Sequence, residues 1–251
     1  MRANGNQTPM TFEEKAARFK EMVAESKRIV FFGGAGVSTA SGIPDFRSSG
    51  GLYSENFGQL PPETILSHSF FMLHPDIFFD FYRKYMLYPE AKPNICHLKL
   101  AELEKQDKLR GIVTQNIDGL HRAAGNIRVY ELHGTVYENE CMECGQEYPL
   151  AKILETEGVP RCSCGGVIKP RVVLYEEPLN NNVVIGALRE IANADMLIVA
   201  GTSLAVYPAA GFIQDFRGKY LVVLNRDATS ADASADLVIH DDLTKVFAAL
   251  D

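Results

Sequence analysis

The sequence predicts an α/β protein: a doubly wound, mostly parallel sheet with a small metal-binding unit inserted into it. Three observations carry that expectation. Short apolar runs at Ile29–Phe32, Leu109–Thr114, Val129–Leu132, Val172–Tyr175, Met196–Ala200, Leu221–Leu224 and Leu237–Ile239 read as buried strands, with helical patterns between most of them. Polar clusters at 33–47, 115–118, 133, 201–203 and 225–226 fall where those strands end, which is where such sheets bind ligands. Four of the five cysteines crowd between 141 and 164, a spacing that suits a metal cluster better than a disulfide framework.

In chain order, residues 1–10 read as a frayed tail. Thr11 is the expected N-cap of a helix whose apolar face is Phe12, Ala16, Phe19, Met22 and Val23. The strand Ile29–Phe32 stops at Gly33-Gly34. Gly34 and Gly36 can bring the backbone close to a pyrophosphate and lend it N–H groups. Ser38 and Thr39 add hydroxyls, and a helix starting there would aim its positive end at the same phosphates. Thr39 stands where a third Gly or Ala is usual in a dinucleotide fingerprint, so an ordinary strand–helix turn stays open. Ser48–Pro62, rich in Gly, Ser and Pro, is either a mobile segment able to close over a ligand or a plain surface loop. Helices are expected from near Pro75, with the stripe Ile77, Phe78, Phe81, Tyr82 and Tyr85, and from near Pro93, with Cys96, Leu100 and Leu103. His97 reads as a packed or capping residue and Cys96 as a small buried hydrophobe. Further helical patterns lie near Val183–Ile191, Pro208–Phe216 and Leu243–Leu250.

A chain of 251 residues with 46% hydrophobic content suffices for one large domain carrying an insert. The net charge of −7 argues against a general nucleic-acid surface. No apolar run of 18 residues suggests a membrane span, and the polar start MRANGNQTPM lacks a leader's apolar core, so a cytoplasmic location is expected. Cys141-x-x-Cys144, seventeen residues, then Cys162-x-Cys164 is a zinc pattern, with Gly145, Gly165 and Gly166 allowing tight turns. Four protein thiolates leave no open position, so the Zn²⁺ would be structural; redox-active cysteines are the alternative. The insert is placed at 136–168, between the halves 11–135 and 169–251 of the large domain.

The run GAGVSTASGIPDFR, Gly34 to Arg47, resembles the signature of the sirtuins, NAD-dependent protein lysine deacylases. Four further stretches match that family in order. They are TQNIDGLH from Thr114 to His121, His133-Gly134, PRVVLYEE from Pro170 to Glu177, and GTSLAVYP from Gly201 to Pro208. The resemblance implies a Rossmann-like NAD-binding domain with a zinc-ribbon insert. It implies that Gly34, Ala35, Gly36, Asp45, Phe46 and Arg47 form the NAD loop. Gln115, Asn116 and Ile117 would meet the nicotinamide ribose, and Asp118 the carboxamide, whose N–H₂ a carboxylate can accept. Gly201, Thr202 and Ser203 would contact ribose and phosphate, Asn225 the adenosine ribose, and Asp242 the adenine end. His133 would be the general base, assisted by Asn116, since a histidine can accept a ribose hydroxyl proton at working pH. His121 is read as a structural partner. Phe46, His133, Val172, Val173, Leu174, Tyr175 and Val206 would line the acyl-lysine channel, the backbone near 172 pairing with an extended peptide.

The implied reaction has the acyl oxygen attack the ribose carbon that bears nicotinamide. His133 then frees a ribose hydroxyl to capture the acyl group, and water releases free lysine and acyl-ADP-ribose. Departures from the family pattern are C-x-C in the second cysteine pair, Leu174 and Tyr175 for two phenylalanines, and Glu176 for a glycine. Glu176 would either bend away or favour basic residues near the acyl-lysine. Sirtuins that prefer acidic acyl groups carry tyrosine and arginine three residues apart; here Tyr82 has Tyr85 at that spacing and Arg83 beside it. Acetyl or longer neutral acyl groups are therefore expected over succinyl. The partners are acyl-lysine proteins or peptides, and the chain is expected to act as a monomer. Protein ADP-ribosyl transfer and NAD hydrolysis at the same site, or a non-enzymatic zinc-ribbon adaptor, are the rival readings.

Overall fold

The computed structural model describes residues 10–45 and 60–250. The tail at 1–9, Phe46, Arg47 and the segment 48–59 lie outside the described residues. Helices α1 (Phe12–Glu25), α2 (Pro62–Ile65), α3 (His68–Leu73), α4 (Pro75–Tyr85), α5 (Ile95–Lys105), α6 (Leu120–Ala123), α7 (Leu150–Glu155), α8 (Asn181–Asn193) and α9 (Leu243–Ala248) alternate with strands. The strands are β1 (Ile29–Gly33), β2 (Leu109–Thr114), β3 (Val129–Glu131), β4 (Gly134–Cys141), β5 (Glu147–Pro149), β6 (Ile168–Val172), β7 (Met196–Ala200), β8 (Tyr220–Leu224) and β9 (Leu237–Ile239).

Six strands form one sheet in the order β3-β2-β1-β7-β8-β9, every neighbouring pair parallel. The order reverses beside β1, so the crevice of a doubly wound sheet opens past the carboxyl ends of β1 and β7. β1 and β7 are buried at every residue, which is why both read as unbroken apolar runs rather than alternating ones. Ile29, Phe31, Ile112, Met196 and Ile198 face a core shared with α1, α5 and α9. Val30, Phe32, Val113, Leu197 and Val199 face the other, against α8 and the turn at 204–216. α1 starts where its cap requires: Thr11 Oγ1 accepts from Glu14 N at 3.2 Å while the Glu14 carboxylate accepts from Thr11 N at 2.8 Å.

A second, antiparallel sheet, β5-β4-β6, carries the cysteines. It shares a third core with α2–α4, where Ile65, Phe71, Phe78 and Phe81 meet Val136, Ile153 and Ile168. Two expectations are corrected. Val172–Tyr175 is not a strand of the parallel sheet: β6 ends at Val172 within the antiparallel one, and 173–175 are apolar because they wall a cavity. The Pro208–Phe216 pattern forms a 3₁₀ helix at Ala209–Asp215 rather than an α-helix.

His97 of α5 caps its own helix, its Nδ1 accepting from Asn94 N at 3.2 Å. Its ring lies 4.7 Å from that of His121, which in turn meets Phe31 edge-on at 5.8 Å. Among the described residues, His97 Nε2 and both His121 nitrogens are buried without a hydrogen-bond partner. Burial pushes His97 down to about 4 and, with His97 as a like-charged neighbour, His121 well below its usual range. The unfolded chain then takes up these protons first, so this contribution to stability is present above about pH 6.5 and is lost as pH falls from there toward 4. His121→Leu removes no side-chain hydrogen bond to any described residue. It should shrink the loss of unfolding free energy between pH 7.5 and pH 5, read by urea titration, by about 2 kcal/mol. An unchanged loss would contradict the account.

Candidate active site

Beyond the carboxyl ends of β1, β2, β7 and β8 opens a cavity of about 620 Å³, within the range of small-molecule sites. Of the residues singled out in the sequence, Ala35, Gly36, Asp45, Gln115, Asn116, Ile117, His133, Val172–Tyr175, Gly201–Ser203, Val206, Asn225 and Asp242 line it. Asp118 borders a smaller adjoining recess of about 40 Å³ with Ala35, Ser38, Ile43, Pro44, Met86 and Asn116. Gly34 lies behind the wall.

The loop after β1 differs from its expectation. Two 3₁₀ turns, Ala35–Val37 and Thr39–Ser41, replace the anticipated α-helix. The N–H groups of Gly34 and Gly36 are not free for phosphate: they donate to Ala200 O at 3.2 Å and Gly201 O at 2.9 Å. The glycines are needed because two backbones touch. A Cβ on Gly34 would lie 2.8 Å from Gly201 O, and one on Gly36 2.9 Å from Gly201 Cα. Asn94 steadies the other side, its Nδ2 donating to Val37 O at 2.9 Å and Ser41 Oγ at 3.0 Å. Asn94 also caps α5, its Oδ1 accepting from Cys96 N at 2.9 Å, and nothing in the neighbouring sequence signals either contact to the loop.

Ser38 turns to a carboxylate rather than to an open phosphate site. Its Oγ donates to Asp118 Oδ2 at 2.6 Å and accepts from Asn116 Nδ2 at 3.1 Å, while Leu120 N donates to Asp118 Oδ1 at 2.9 Å. Burial pushes the Asp118 carboxyl up, opposed by its hydrogen bonds from Ser38, Leu120 and Asn116. Gln115 ties three elements together. Its N–H donates to Gly33 O at 3.0 Å and its Oε1 accepts from Thr202 Oγ1 at 2.9 Å. Its Nε2 is buried with no partner among the described residues.

His133 follows β3 and borders the cavity. Its Nδ1 lies 2.9 Å from Gln115 O. A carbonyl only accepts, so Nδ1 carries the proton and Nε2 is the basic nitrogen. Burial lowers the imidazole's affinity for a second proton, with the Gln115 carbonyl opposing weakly, so the ring is neutral at pH 7 and able to accept. Gly134 is required here: its φ is +75°, and a Cβ would fall 1.9 Å from Arg171 O.

The far wall is pinned at several points. Val173 N donates to His133 O at 2.9 Å, Tyr175 N to Leu66 O at 3.0 Å, and His68 N to Tyr175 O at 3.0 Å. The Glu177 carboxylate accepts from Leu174 N at 2.9 Å and pairs with Lys169 Nζ at 3.1 Å. Glu176 also lines the cavity, but at φ +75° its carboxylate is engaged, accepting from Ser69 N at 2.9 Å and Ser69 Oγ at 3.0 Å. At the opposite end Asn225 N donates to Ile239 O at 3.1 Å. Asp242 caps α9, accepting from Thr244 N at 2.8 Å, so its place at the cavity coincides with a structural task. Leu66, Tyr82, Met86 and Leu179 also line the cavity; they belong to elements whose packing against it no local pattern predicts.

Away from the cavity, the four cysteine sulfurs lie within 4.8 Å of one another. Cys141–Cys164 and Cys144–Cys164 are 3.5 Å apart and Cys144–Cys162 is 3.6 Å apart. Four thiolates at about 2.3 Å from a tetrahedral Zn²⁺ sit about 3.8 Å apart, so the donor set and its size both fit zinc. Gly145 and Gly165, at φ +71° and +92°, make the turns that bring each pair round.

Comparisons with known proteins agree with this geometry. The pattern of the Sir2 family matches residues 34–208. The chain is 55% identical to an NAD-dependent protein deacetylase of Clostridium perfringens over 93% of its own length and 97% of that protein's. It is 45% identical to one of Staphylococcus aureus, over 92% and 96%. A solved structure of Sir2 with a p53 peptide and NAD⁺ superimposes at a TM-score of 0.81 and 36% identity, covering 93% of this chain and 96% of that one. The motifs in order, the doubly wound sheet with its four-cysteine unit, and likeness over nearly the whole length together establish that the chain belongs to the Sir2 family, the sirtuins.

Proposed function

We propose that this chain is an NAD-dependent protein-lysine deacylase, which releases nicotinamide and transfers the acyl group of an acyl-lysine to ADP-ribose. The observation that carries the proposal is a half-buried, neutral histidine whose basic nitrogen has no hydrogen-bond partner among the described residues, in a cavity shared with Gln115, Asn116 and Thr202. Gln115 Nε2 is a donor with no acceptor among the described residues, and a nucleotide's oxygens would supply one. In this reading Ala35, Gly36, Asp45, Gln115, Asn116 and Ile117 hold NAD, with Gly34 supporting from behind. Gly201–Ser203, Asn225 and Asp242 extend the site to its adenosine end. Phe46 and Arg47 join the set on sequence alone. Asp118, held by Ser38 and Asn116, offers an acceptor to the carboxamide at the recess.

Bound NAD supplies an electrophilic ribose carbon whose leaving group already carries positive charge. The protein's own part is orientation and proton transfer. Val172–Tyr175 and Val206 flank the acyl-lysine, the pinned backbone at 173–177 keeping that wall in place. Ser38 and Asn116 fix the Asp118 carboxylate, and His133 Nε2 takes a hydroxyl proton while Gln115 O retains the one on Nδ1. The cysteines hold a structural Zn²⁺ in a small unit read as residues 136–168 inserted in a domain of 11–135 and 169–251. No helix among the described residues is long and apolar enough to cross a membrane; the reading places the enzyme in the cytoplasm, acting as a monomer.

The test is mass spectrometry of the purified chain with an acetyl-lysine peptide, with and without NAD. Acetyl-ADP-ribose formed only with NAD is the expected result. Nicotinamide released from an untouched peptide would point instead to ADP-ribosyl transfer or NAD hydrolysis. The expected acyl preference also has a structural basis. Arg83 donates its Nε to Ile153 O at 2.9 Å and stacks on Phe79, so its charge is committed away from the cavity. Succinyl-lysine should therefore be processed at least tenfold less efficiently than acetyl-lysine, since a buried carboxylate without a cation is costly. Succinyl removal exceeding acetyl removal in kcat/KM would refute this.

A further inference from the structure

The two ends of the Asn94 amide do different work. Its Oδ1 accepts from Cys96 N and caps α5, a task that serine or aspartate performs equally well. Its Nδ2 hydrogens go to the loop after β1, to Val37 O at 2.9 Å and Ser41 Oγ at 3.0 Å. Val37 ends the first 3₁₀ turn of that loop and Ser41 ends the second, so one side chain clips both turns together. Ala35, Gly36, Val37, Thr39 and Ala40 of the loop line the cavity, and so does Cys96 in the first turn of α5. Asn94 lies behind this wall, where the helix start and the loop meet. A segment of two short turns around Gly36 has much conformational freedom to lose. The Gly34 and Gly36 N–H groups hold it to the end of β7 and Ser38 holds it to Asp118; Asn94 ties the turns to each other and to α5.

We infer that Asn94 is a positioning residue for NAD: by clipping the ends of both turns it orders the loop before the nucleotide arrives, so that binding does not carry the cost of ordering it. The inference rests on the reading of this cavity as an NAD site and adds a residue that the site itself does not contain. Pre-ordering a segment in its bound conformation raises affinity without any new contact to the ligand. Asparagine suits the place because it is short and carries both an acceptor and two donors. Serine keeps a neutral cap but cannot reach Val37 O, and so separates the two tasks.

The experiment measures NAD affinity by isothermal titration of the full chain and of its Asn94→Ser and Ser41→Ala variants, together with kcat and the KM values for NAD and an acetyl-lysine peptide. In Asn94→Ser both the Kd and the KM for NAD should rise roughly tenfold, the effect of two neutral hydrogen bonds at about threefold each. Ser41→Ala removes one of the two acceptors and leaves the cap untouched, so its rise should be about two- to threefold. The KM for peptide, and kcat at saturating NAD, should stay within about twofold of the parent, since neither depends on ordering the loop once NAD is bound. A residue that only capped α5 would lower the melting temperature and leave the KM for NAD unchanged. NAD affinity unchanged in both variants, or in Ser41→Ala alone should Asn94→Ser fail to fold, would overturn the inference and leave the NAD site standing. A parent chain that binds no NAD would overturn both.

Discussion

Replacing His133 by alanine should slow acyl transfer on the order of 10²- to 10⁴-fold, the contribution of a positioned general base. The loss should fall on kcat, because the imidazole acts on a proton that moves in the reaction rather than on ground-state binding. Loss of the nicotinamide leaving group needs no base, so nicotinamide release should fall less than formation of the acylated product. The parent's pH profile is a second check. Activity should rise with pH through the protonation of His133 and be complete by neutrality, with an acid limb centred below about pH 6.5, because burial depresses the ring. A variant that deacylates within a few-fold of the parent, or an acid limb above pH 7, would remove His133 from the role. His133→Ala could also shift the Gln115 turn, since the ring bonds its carbonyl. Unchanged NAD affinity and melting temperature in the variant would separate chemistry from structure.

Removing zinc should have the largest effect on stability. Structural Zn²⁺ in comparable small units contributes on the order of 10–16 kcal/mol of apparent binding energy that doubles as folding energy. Here Cys141 and Cys162 are themselves part of the core that covers β5-β4-β6, so loss of the metal loosens that core from within. Chelation, or Cys141→Ser, should release about one Zn²⁺ per chain, lower the melting temperature and abolish deacylation. The loss of activity follows from the shared core: Phe71, Phe78 and Tyr82 pack with the zinc sheet, and Val172 and Leu174 of the same cluster wall the cavity. Re-adding Zn²⁺ to the chelated protein should restore both properties. Metal analysis that finds no zinc, or chelation that leaves stability and turnover intact, would revive the redox reading of the four cysteines.

Much of the fold was legible because burial in a doubly wound sheet leaves a simple trace. Strands covered on both faces are continuous apolar runs, as Ile29–Phe32 and Met196–Ala200 are, and each is followed by the polar residues that reach the crevice. The Thr11 cap and the cysteine pairs are equally local, since cap and knuckle are set within a few residues. The stretch at 172–175 misled for a physical reason: an apolar run records burial, not the partner that buries it. Val172 and Leu174 are buried in the core shared with α2–α4, and all four residues line the cavity, rather than joining a parallel ladder.

What the chain alone determined, then, is the alternation of elements, the places where polar residues emerge at strand ends, and the four-cysteine cluster. Each depends on residues close together in sequence. Only the tertiary structure decided that the Gly34 and Gly36 N–H groups are consumed by the end of β7 and the residue after it, and that Ser38 serves Asp118. It alone turned Glu176 onto Ser69, committed Arg83 to the loop at 153–158, and left the Tyr82 hydroxyl without a partner among the described residues. In each case a short-range pattern leaves several hydrogen-bond partners open, and the choice among them is made by a backbone or side chain that folding brings in from a distant part of the chain.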